Sequence, residues 1–129
     1  TSYRELRREA LEVDRWNMLH PTHTPKLSYI EKILAEEEGV FIAASDHMRS
    51  VPEMITRWVP GGLFALGTDG FGRSETRPSL RRHFEIDSEC ITVGTLYQLS
   101  KKGLIETSVV ADAITKLGIN PEKISPMTA

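Results

Sequence analysis

The sequence predicts an α/β fold, because two short apolar runs stand among segments with helical periodicity. Residues 40–44 and 63–66 are continuous apolar runs bounded by glycine or serine, which is typical of strands covered on both faces in a parallel sheet. Amphipathic segments precede, separate and follow these runs, and this alternation is an α/β signature. The chain has 129 residues, of which 40% are hydrophobic and 26% charged, as in an ordinary globular domain.

Two helices are predicted before the first strand. Apolar residues repeat every three or four positions through the first twenty residues, which indicates one amphipathic helix. Ser2 and Glu5 have the spacing of a capping box at its start. Ser28 and Glu31 repeat that spacing and predict a second, short helix. The acidic run at residues 36–38 opposes the helix dipole and should end it.

Helices are also predicted between and after the strands. Residues 48–58 return to helical spacing, with Pro52 in the first turn, where its missing N–H costs little. Three further helices are expected over about residues 76–84, 88–102 and 107–118. Two strands alone make a poor sheet, so we expect further strands that are hidden here or lie outside this chain.

Composition and charge limit the classes of partner. Sixteen Lys and Arg stand against eighteen Asp and Glu, for a net charge of −2. This balance disfavours nucleic acids and anionic membranes, which reward concentrated positive charge. A single cysteine, Cys90, cannot form an internal disulfide. The charged N-terminus has no apolar run and no stretch approaches the length of a membrane span, so we expect a soluble, cytoplasmic protein without a signal peptide.

The loop after the second apolar run is the first candidate site. Ligands of open parallel sheets bind beyond the carboxyl ends of strands, and backbone N–H groups there can hold an anion. The glycines lack the dinucleotide-binding spacing, so the alternative is a tight exposed loop in which glycine permits positive φ. The candidate interface or anion-loop residues are Asp69, Gly70, Phe71, Gly72, Arg73 and Ser74.

Asp46 and His47 follow the first apolar run and form a second candidate. A carboxylate beside an imidazole is suited to acid–base work, since histidine titrates near neutral pH. The alternative, which we favour, is that Asp46 caps the following helix.

Other chemistry-bearing residues have simpler interpretations. His20 and His23 lack nearby side chains to complete a metal site. Cys90 is interpreted as a core residue. The basic cluster at residues 73–83 is a solvated helix face or a contact for phosphate or a partner subunit. The two helices joined at Gly103 imitate a helix-turn-helix, but the second has too few basic residues to read DNA.

One string in the sequence is specific enough to carry a resemblance. Residues 15–21, Arg-Trp-Asn-Met-Leu-His-Pro, resemble the homodimeric-type pyruvate dehydrogenase family, which uses thiamine diphosphate to decarboxylate pyruvate. The similarity runs in order from Ser2 nearly to Ala129, and His47 departs from it, because the family tends to have tyrosine there. Further similar strings lie at residues 24–25, 29–30, 44–46, 57–60, 67–74, 83–85 and 109–114. The string at residues 67–74 is shared more loosely with transketolases.

The resemblance implies a three-layer αβα domain of the transketolase C-terminal type, with a mostly parallel sheet. Residues 1–129 would form a single, partial domain, with residues 120–129 as a surface tail and one strand–helix–strand unit preceding residue 1. Thiamine diphosphate and Mg²⁺ would be bound by the parent enzyme outside this chain. No catalytic, cofactor-binding or metal-binding residue is therefore assigned here.

The resemblance also implies a role in assembly. The expected partners are the rest of the same polypeptide, the homodimer mate and, through the parent enzyme, the acyltransferase core of the pyruvate dehydrogenase complex. Two alternatives stay open at this point: the C-terminal domain of a transketolase-like thiamine enzyme, and a free-standing anion-binding regulatory module.

Overall fold

The structure, a computed structural model, describes residues 2–129 and has the predicted α/β composition. A parallel pair of short strands is set among helices, which confirms the fold class. The helices are α1 (Tyr3–Leu19), α2 (Tyr29–Leu34), α3 (Ser50–Glu53), α4 (Arg77–His83), α5 (Ser88–Lys101) and α6 (Thr107–Lys116), and the strands are β1 (Phe41–Ala44) and β2 (Leu63–Leu66). A short 3-10 helix covers Thr56–Trp58. No helix in residues 2–129 is long and apolar enough to span a bilayer.

The chain packs as two compact units. The first contains the described residues up to Phe41 together with Ser50–Leu63, and the second contains Ile42–Arg49 together with Phe64–Ala129. Each unit has its own set of packed elements, and the two sets are described in turn.

The first unit is built around the apolar face of α1. Ala10 on α1 and Ile30 on α2 are almost fully buried, and they share one cluster with Ile55, Trp58 and Val59. This is the face that the three- and four-residue spacing of α1 predicts. Burial of these side chains supplies the main stabilisation of the unit, at about 25 cal/mol per Å² of apolar surface removed from water.

The two predicted capping boxes have different outcomes. At α2 the box is present: the Ser28 hydroxyl accepts from the backbone N–H of Glu31 at 3.3 Å, and the Glu31 carboxylate accepts from the backbone N–H of Ser28 at 3.1 Å. At α1 the prediction was wrong, since Ser2 makes no side-chain cap bond. Glu5 is held instead by the guanidinium of Arg8, at 2.7 Å.

Replacing Ser28 with alanine should lower the free energy of unfolding by about 1–2 kcal/mol, because the buried cap loses both of its side-chain contacts. Urea denaturation followed by circular dichroism measures the change. Ser2→Ala is the matched control, since the Ser2 side chain caps nothing. Equal destabilisation by the two substitutions would contradict the cap assignment.

The helix predicted over residues 48–58 is interrupted. Pro52 lies in the first turn of α3, as expected, but α3 ends at Glu53. Ile55 leaves the helical region with φ −109°, and the chain resumes as the 3-10 helix. A four-residue helix containing proline forms too few backbone hydrogen bonds to propagate, which the apolar spacing alone does not reveal.

The second unit contains the paired strand segments and helices α4 to α6. The N–H of Ser45 donates to the carbonyl of Leu66, and the N–H of Thr68 donates to the carbonyl of His47, at 3.1 and 2.9 Å. Both bonds have the same sequence offset, so the strands run parallel. Helix α5 lies against β2 at Gly94, where an added Cβ would meet the Phe64 ring at 3.2 Å.

Candidate functional site

The residues after β1 and β2 lie side by side at the carboxyl edge of the sheet. The Thr68 hydroxyl donates to the carbonyl of Asp46 at 2.7 Å. A Cβ at Gly67 would lie 2.4 Å from the carbonyl oxygen of His47, so only glycine allows the two segments to approach this closely. The prediction that strand ends of a parallel pair meet at one edge is therefore realised in the second unit.

Asp46 and His47 are brought to this edge with exposed side chains. The backbone N–H of His47 donates to the Ser45 hydroxyl at 3.2 Å, and no side-chain hydrogen bond joins Asp46 to His47 among residues 2–129. The interpretation of Asp46 as a helix cap was wrong, because α3 begins only at Ser50. Residues 45–49 separate β1 from α3, so Asp46 lies four residues before the first residue of the helix, which is too far to act as its N-cap.

One end of the loop at residues 69–74 is fixed by the C-terminal segment and by Arg49. The Nε atom of Arg49 contacts the Asp69 carboxylate at 2.5 Å, and its Nη2 atom donates to the sulfur of Met127 at 2.9 Å. Gly70 has φ +110°, and an added Cβ would lie 2.1 Å from the carbonyl oxygen of Pro126. Pro126 itself is buried.

The other end of the loop faces outwards. The Phe71 side chain is 80% exposed, which is unusual for a large aromatic residue. Gly72, Arg73 and Ser74 are exposed as well. The loop therefore exposes Phe71 at its tip, while Asp69 and Gly70 at its base are held by Arg49 and by the segment at Pro126.

Part of the basic cluster is engaged inside the second unit. Arg82 pairs with Asp87 and also donates to the carbonyl of Gly118 at 3.2 Å. The hydrogen bond to Asp87 is the main cause of a raised pKa for Arg82. Burial acts to raise the pKa of Asp87, but hydrogen bonds from Cys90 and Arg82 outweigh it and lower that pKa overall. Asp87 in turn caps α5.

Cys90 is a core residue, as the sequence predicts. Burial, followed by the neighbouring Asp87 carboxylate, raises the pKa of the Cys90 thiol to about 12. The nucleophilic thiolate is therefore almost absent at neutral pH.

We expect the folded protein to resist alkylation of Cys90 at pH 8, with a rate at least ~100-fold below that of an unfolded thiol, whose pKa is about 8.5. Iodoacetamide labelling followed by mass spectrometry measures the rate, and the same reaction in denaturant is the control. Equal rates in the two conditions would contradict the burial of this thiol.

His20 and His23 belong to an aromatic cluster in the first unit. The His20 ring stacks on Trp16 with centroids 4.2 Å apart, and the His23 ring meets Trp16 edge-on at 5.6 Å. The Asn17 amide accepts from the backbone N–H of Lys26 at 2.8 Å and donates to its carbonyl at 2.9 Å. The turn after α1 is thus held by side chains from the string at residues 15–21.

Two comparisons with known proteins agree with this architecture. A family model described as "Transketolase-like TK C-terminal domain" matches residues 1–87. The chain belongs to the transketolase-like C-terminal domain family. The loop at residues 69–74 and residues Asp46 and His47 all lie inside the segment that this family model matches.

Several similar proteins share the name pyruvate dehydrogenase E1 component. The chain is 48% identical over 127 residues to the pyruvate dehydrogenase E1 component of Pseudomonas aeruginosa, covering 98% of this chain and 14% of that protein. It is 43% identical over 130 residues to that of Escherichia coli K12, covering 100% and 14%. For Mycolicibacterium smegmatis the identity is 42% over 120 residues, covering 93% and 13%. The match is to the C-terminal region of these proteins, and the chain spans about one seventh of their length.

The described residues of this transketolase-like domain do not form a metal site built from protein side chains alone. In the described residues, no three His, Cys, Asp or Glu side chains are grouped so that they could hold a metal ion. Mg²⁺ bound with a diphosphate needs oxygen ligands in near-octahedral geometry. Residues 2–129 therefore offer no such cluster of protein ligands to a Mg²⁺ ion.

Sequence reasoning missed the contacts that fix the loop. Arg49, Pro126 and Met127 hold Asp69 and Gly70, but they are distant in sequence and carry no motif. The only local signal was the glycine at position 70, which predicts a positive φ but does not indicate which residues lie beside it.

Proposed function

We propose that this chain is the C-terminal assembly domain of a pyruvate dehydrogenase that decarboxylates pyruvate oxidatively and transfers the acetyl group to lipoyl groups. The observation that carries the proposal is 48% identity across nearly the whole chain to an enzyme of that name. The parent enzyme would be a cytoplasmic homodimer that works with the acyltransferase core of a pyruvate dehydrogenase complex, at the point where glycolysis delivers pyruvate.

In this proposal the cofactors are bound by other parts of the parent enzyme. Thiamine diphosphate supplies a carbanion-stabilising thiazolium when bound, and Mg²⁺ neutralises its diphosphate. The residues of this chain would supply packing and contact surfaces.

The loop of residues 69–74 is the part of the chain that we assign to docking against the rest of the enzyme. Its base is held by Arg49 and Pro126, so the exposed Phe71 is presented on a fixed support. An aromatic side chain on a fixed support loses little conformational entropy when it is buried in an interface.

Activity of the full-length gene product tests the proposal. We expect pyruvate-dependent reduction of ferricyanide that requires thiamine diphosphate and Mg²⁺. The transketolase alternative predicts transfer of two-carbon units between sugar phosphates without activity on pyruvate, and that outcome would overturn the proposal. A free-standing regulatory module would be inactive in both assays.

Sedimentation of the same full-length protein tests the docking role. Phe71→Ser should weaken the dimer or loosen the attachment of this domain, because a buried aromatic anchor is lost. Tyr97→Ser is the matched control, since Tyr97 is also exposed and lies on α5 away from the loop in sequence. Identical sedimentation and protease resistance for Phe71→Ser and the unmodified enzyme would exclude a docking role for Phe71.

A further inference from the structure

One flank of helix α1 carries a stripe of arginines that ends in an exposed methionine. Arg4, Arg7, Leu11, Arg15 and Met18 follow one another at steps of three or four residues, so they share one face of the helix. The three arginines are exposed, Met18 is 70% exposed, and Leu11 is half-buried against the core. At 1.5 Å per residue the stripe is about 21 Å long. We call these residues the α1 stripe.

The positive charge of the α1 stripe is not taken up by carboxylates of the same chain. Its arginines form no ion pair within residues 2–129, whereas Arg8 on the neighbouring flank pairs with Glu5 at 2.7 Å and with Glu12 at 3.3 Å. The hydrogen bond from Arg8 is the first cause of the lowered pKa of Glu5, and the charge of Arg4 contributes least. A surface that fits the stripe is therefore acidic and has an apolar group for Met18.

Helix α2 and the residues after it have this complementary pattern. Tyr29 and Ile33 are four residues apart, so they share a face of α2, and their side chains are 53% and 52% exposed. Residues 36–38 are three exposed glutamates that form no ion pair within residues 2–129. Lys32 is the exposed cation of α2, so the surface keeps a negative balance. We call Tyr29, Ile33 and residues 36–38 the α2 end.

The α1 stripe and the α2 end both lie on the first unit, and no ion pair joins them within residues 2–129. Two opposite patterns on one molecule are complementary across a twofold axis, because the stripe of each copy meets the α2 end of the other and the contact forms twice. The proposed homodimer would hold a second copy of this chain at high effective concentration, so a small patch can associate there. A separate protein would have to bind the same patch without that advantage.

We propose that the α1 stripe of one copy docks on the α2 end of a second copy of this chain. Met18 packs against Ile33, and Arg15 then faces Glu36 and Glu37, because Arg15 lies three residues from Met18 and the glutamates lie three and four residues from Ile33. A single exposed ion pair contributes little, so the contact depends on the apolar pair and on its duplication by symmetry. The inference rests on the homodimer of the proposed function and adds the surface through which this domain takes part in it.

Disulfide trapping in the full-length protein tests the contact. Two differently tagged copies are co-expressed, one with Met18→Cys and the other with Ile33→Cys, and oxidised glutathione is added. We expect a disulfide that joins the two tagged chains, with a yield at least about tenfold above the control, since the two thiols come within bonding reach. Met18→Cys with Val109→Cys is the matched control pair, because Val109 is exposed on α6 and belongs to neither surface.

Charge variants test the polarity of the contact. Arg15→Glu should lower the yield of the disulfide between positions 18 and 33 about fivefold, because a carboxylate then faces the glutamates of the other copy. Glu36→Arg together with Glu37→Arg in the same chains should restore the yield. Lys116→Glu on α6 is the matched control and should leave the yield unchanged.

The proposal is overturned if the disulfide forms no more readily than in the control pair. Maleimide labelling of the Met18→Cys variant then shows whether another part of the polypeptide covers the stripe or the stripe is open to solvent. Sedimentation and pyruvate oxidation are measured on the same samples. An active dimer without the disulfide overturns this inference alone, and a monomer overturns it as well. A protein that forms the disulfide but does not act on pyruvate contradicts only the activity in the proposed function.

Discussion

Replacing Gly70 with alanine is expected to destabilise the protein by about 3 kcal/mol or more. The backbone φ of +110° is unfavourable for any residue with a Cβ, which costs about 1–2 kcal/mol. The added atom would also lie 2.1 Å from the carbonyl oxygen of Pro126, a backbone group that cannot rotate away. The C-terminal segment would have to move from the loop, and the contact of Met127 with Arg49 would be lost with it.

Chemical denaturation of Gly70→Ala beside Gly72→Ala measures this effect. Gly72 is the matched control, because nothing lies within 4 Å of the position of its added Cβ and its φ is outside the left-handed region. We expect the control to change the free energy of unfolding by less than about 1 kcal/mol. Comparable unfolding curves for both variants would show that the C-terminal segment does not hold the loop.

Replacing Trp58 with alanine should cost about 3–5 kcal/mol, the range for removal of a large aromatic side chain from a core. Trp58 is 7% exposed and lies in the cluster with Ala10 and Ile30. Its indole Nε1–H donates to the Asp14 carboxylate at 3.1 Å, so the substitution also removes one of the two donors to that carboxylate.

Trp58→Phe is the intermediate variant, since it keeps an aromatic ring in the core but removes the N–H donor and part of the ring volume. We expect it to cost about 1–2 kcal/mol, because Asp14 keeps Arg57 as a partner. The measurement is the urea midpoint of each variant. A loss below about 1 kcal/mol for Trp58→Ala would contradict the assignment of Trp58 to the core of the first unit.

Periodicity was sufficient to predict the strands and most helices of this chain. The run at residues 63–66 became β2 without adjustment, and α5 ends before Gly103, whose φ is +73°. Local capping was a weaker guide. Ser28 and Ser2 carry the same signal, but only Ser28 is buried, where an unpaired hydroxyl and unpaired N–H groups would be costly. At the exposed Ser2 water can replace the cap.

The strand-end position was also predictable, because parallel strands place their carboxyl ends at one edge. The partners that decide the properties of this edge were not. Pro126 and Met127 reach the loop from the C-terminal segment, and within the basic cluster it is Arg82 that pairs with Asp87. Such choices between equivalent charged groups depend on tertiary distances rather than on spacing.

In the proposed function this chain supports the parent enzyme without supplying a catalytic group, and His47 offers the most direct test. We expect His47→Gln in the full-length enzyme to leave kcat for the proposed pyruvate oxidation within about twofold of the unmodified enzyme, since the exposed imidazole makes no side-chain hydrogen bond within residues 2–129. A catalytic acid or base contributes about 10²–10⁴-fold. A loss of kcat of that size, in a variant with unchanged thermal stability, would contradict a purely supporting role for this chain.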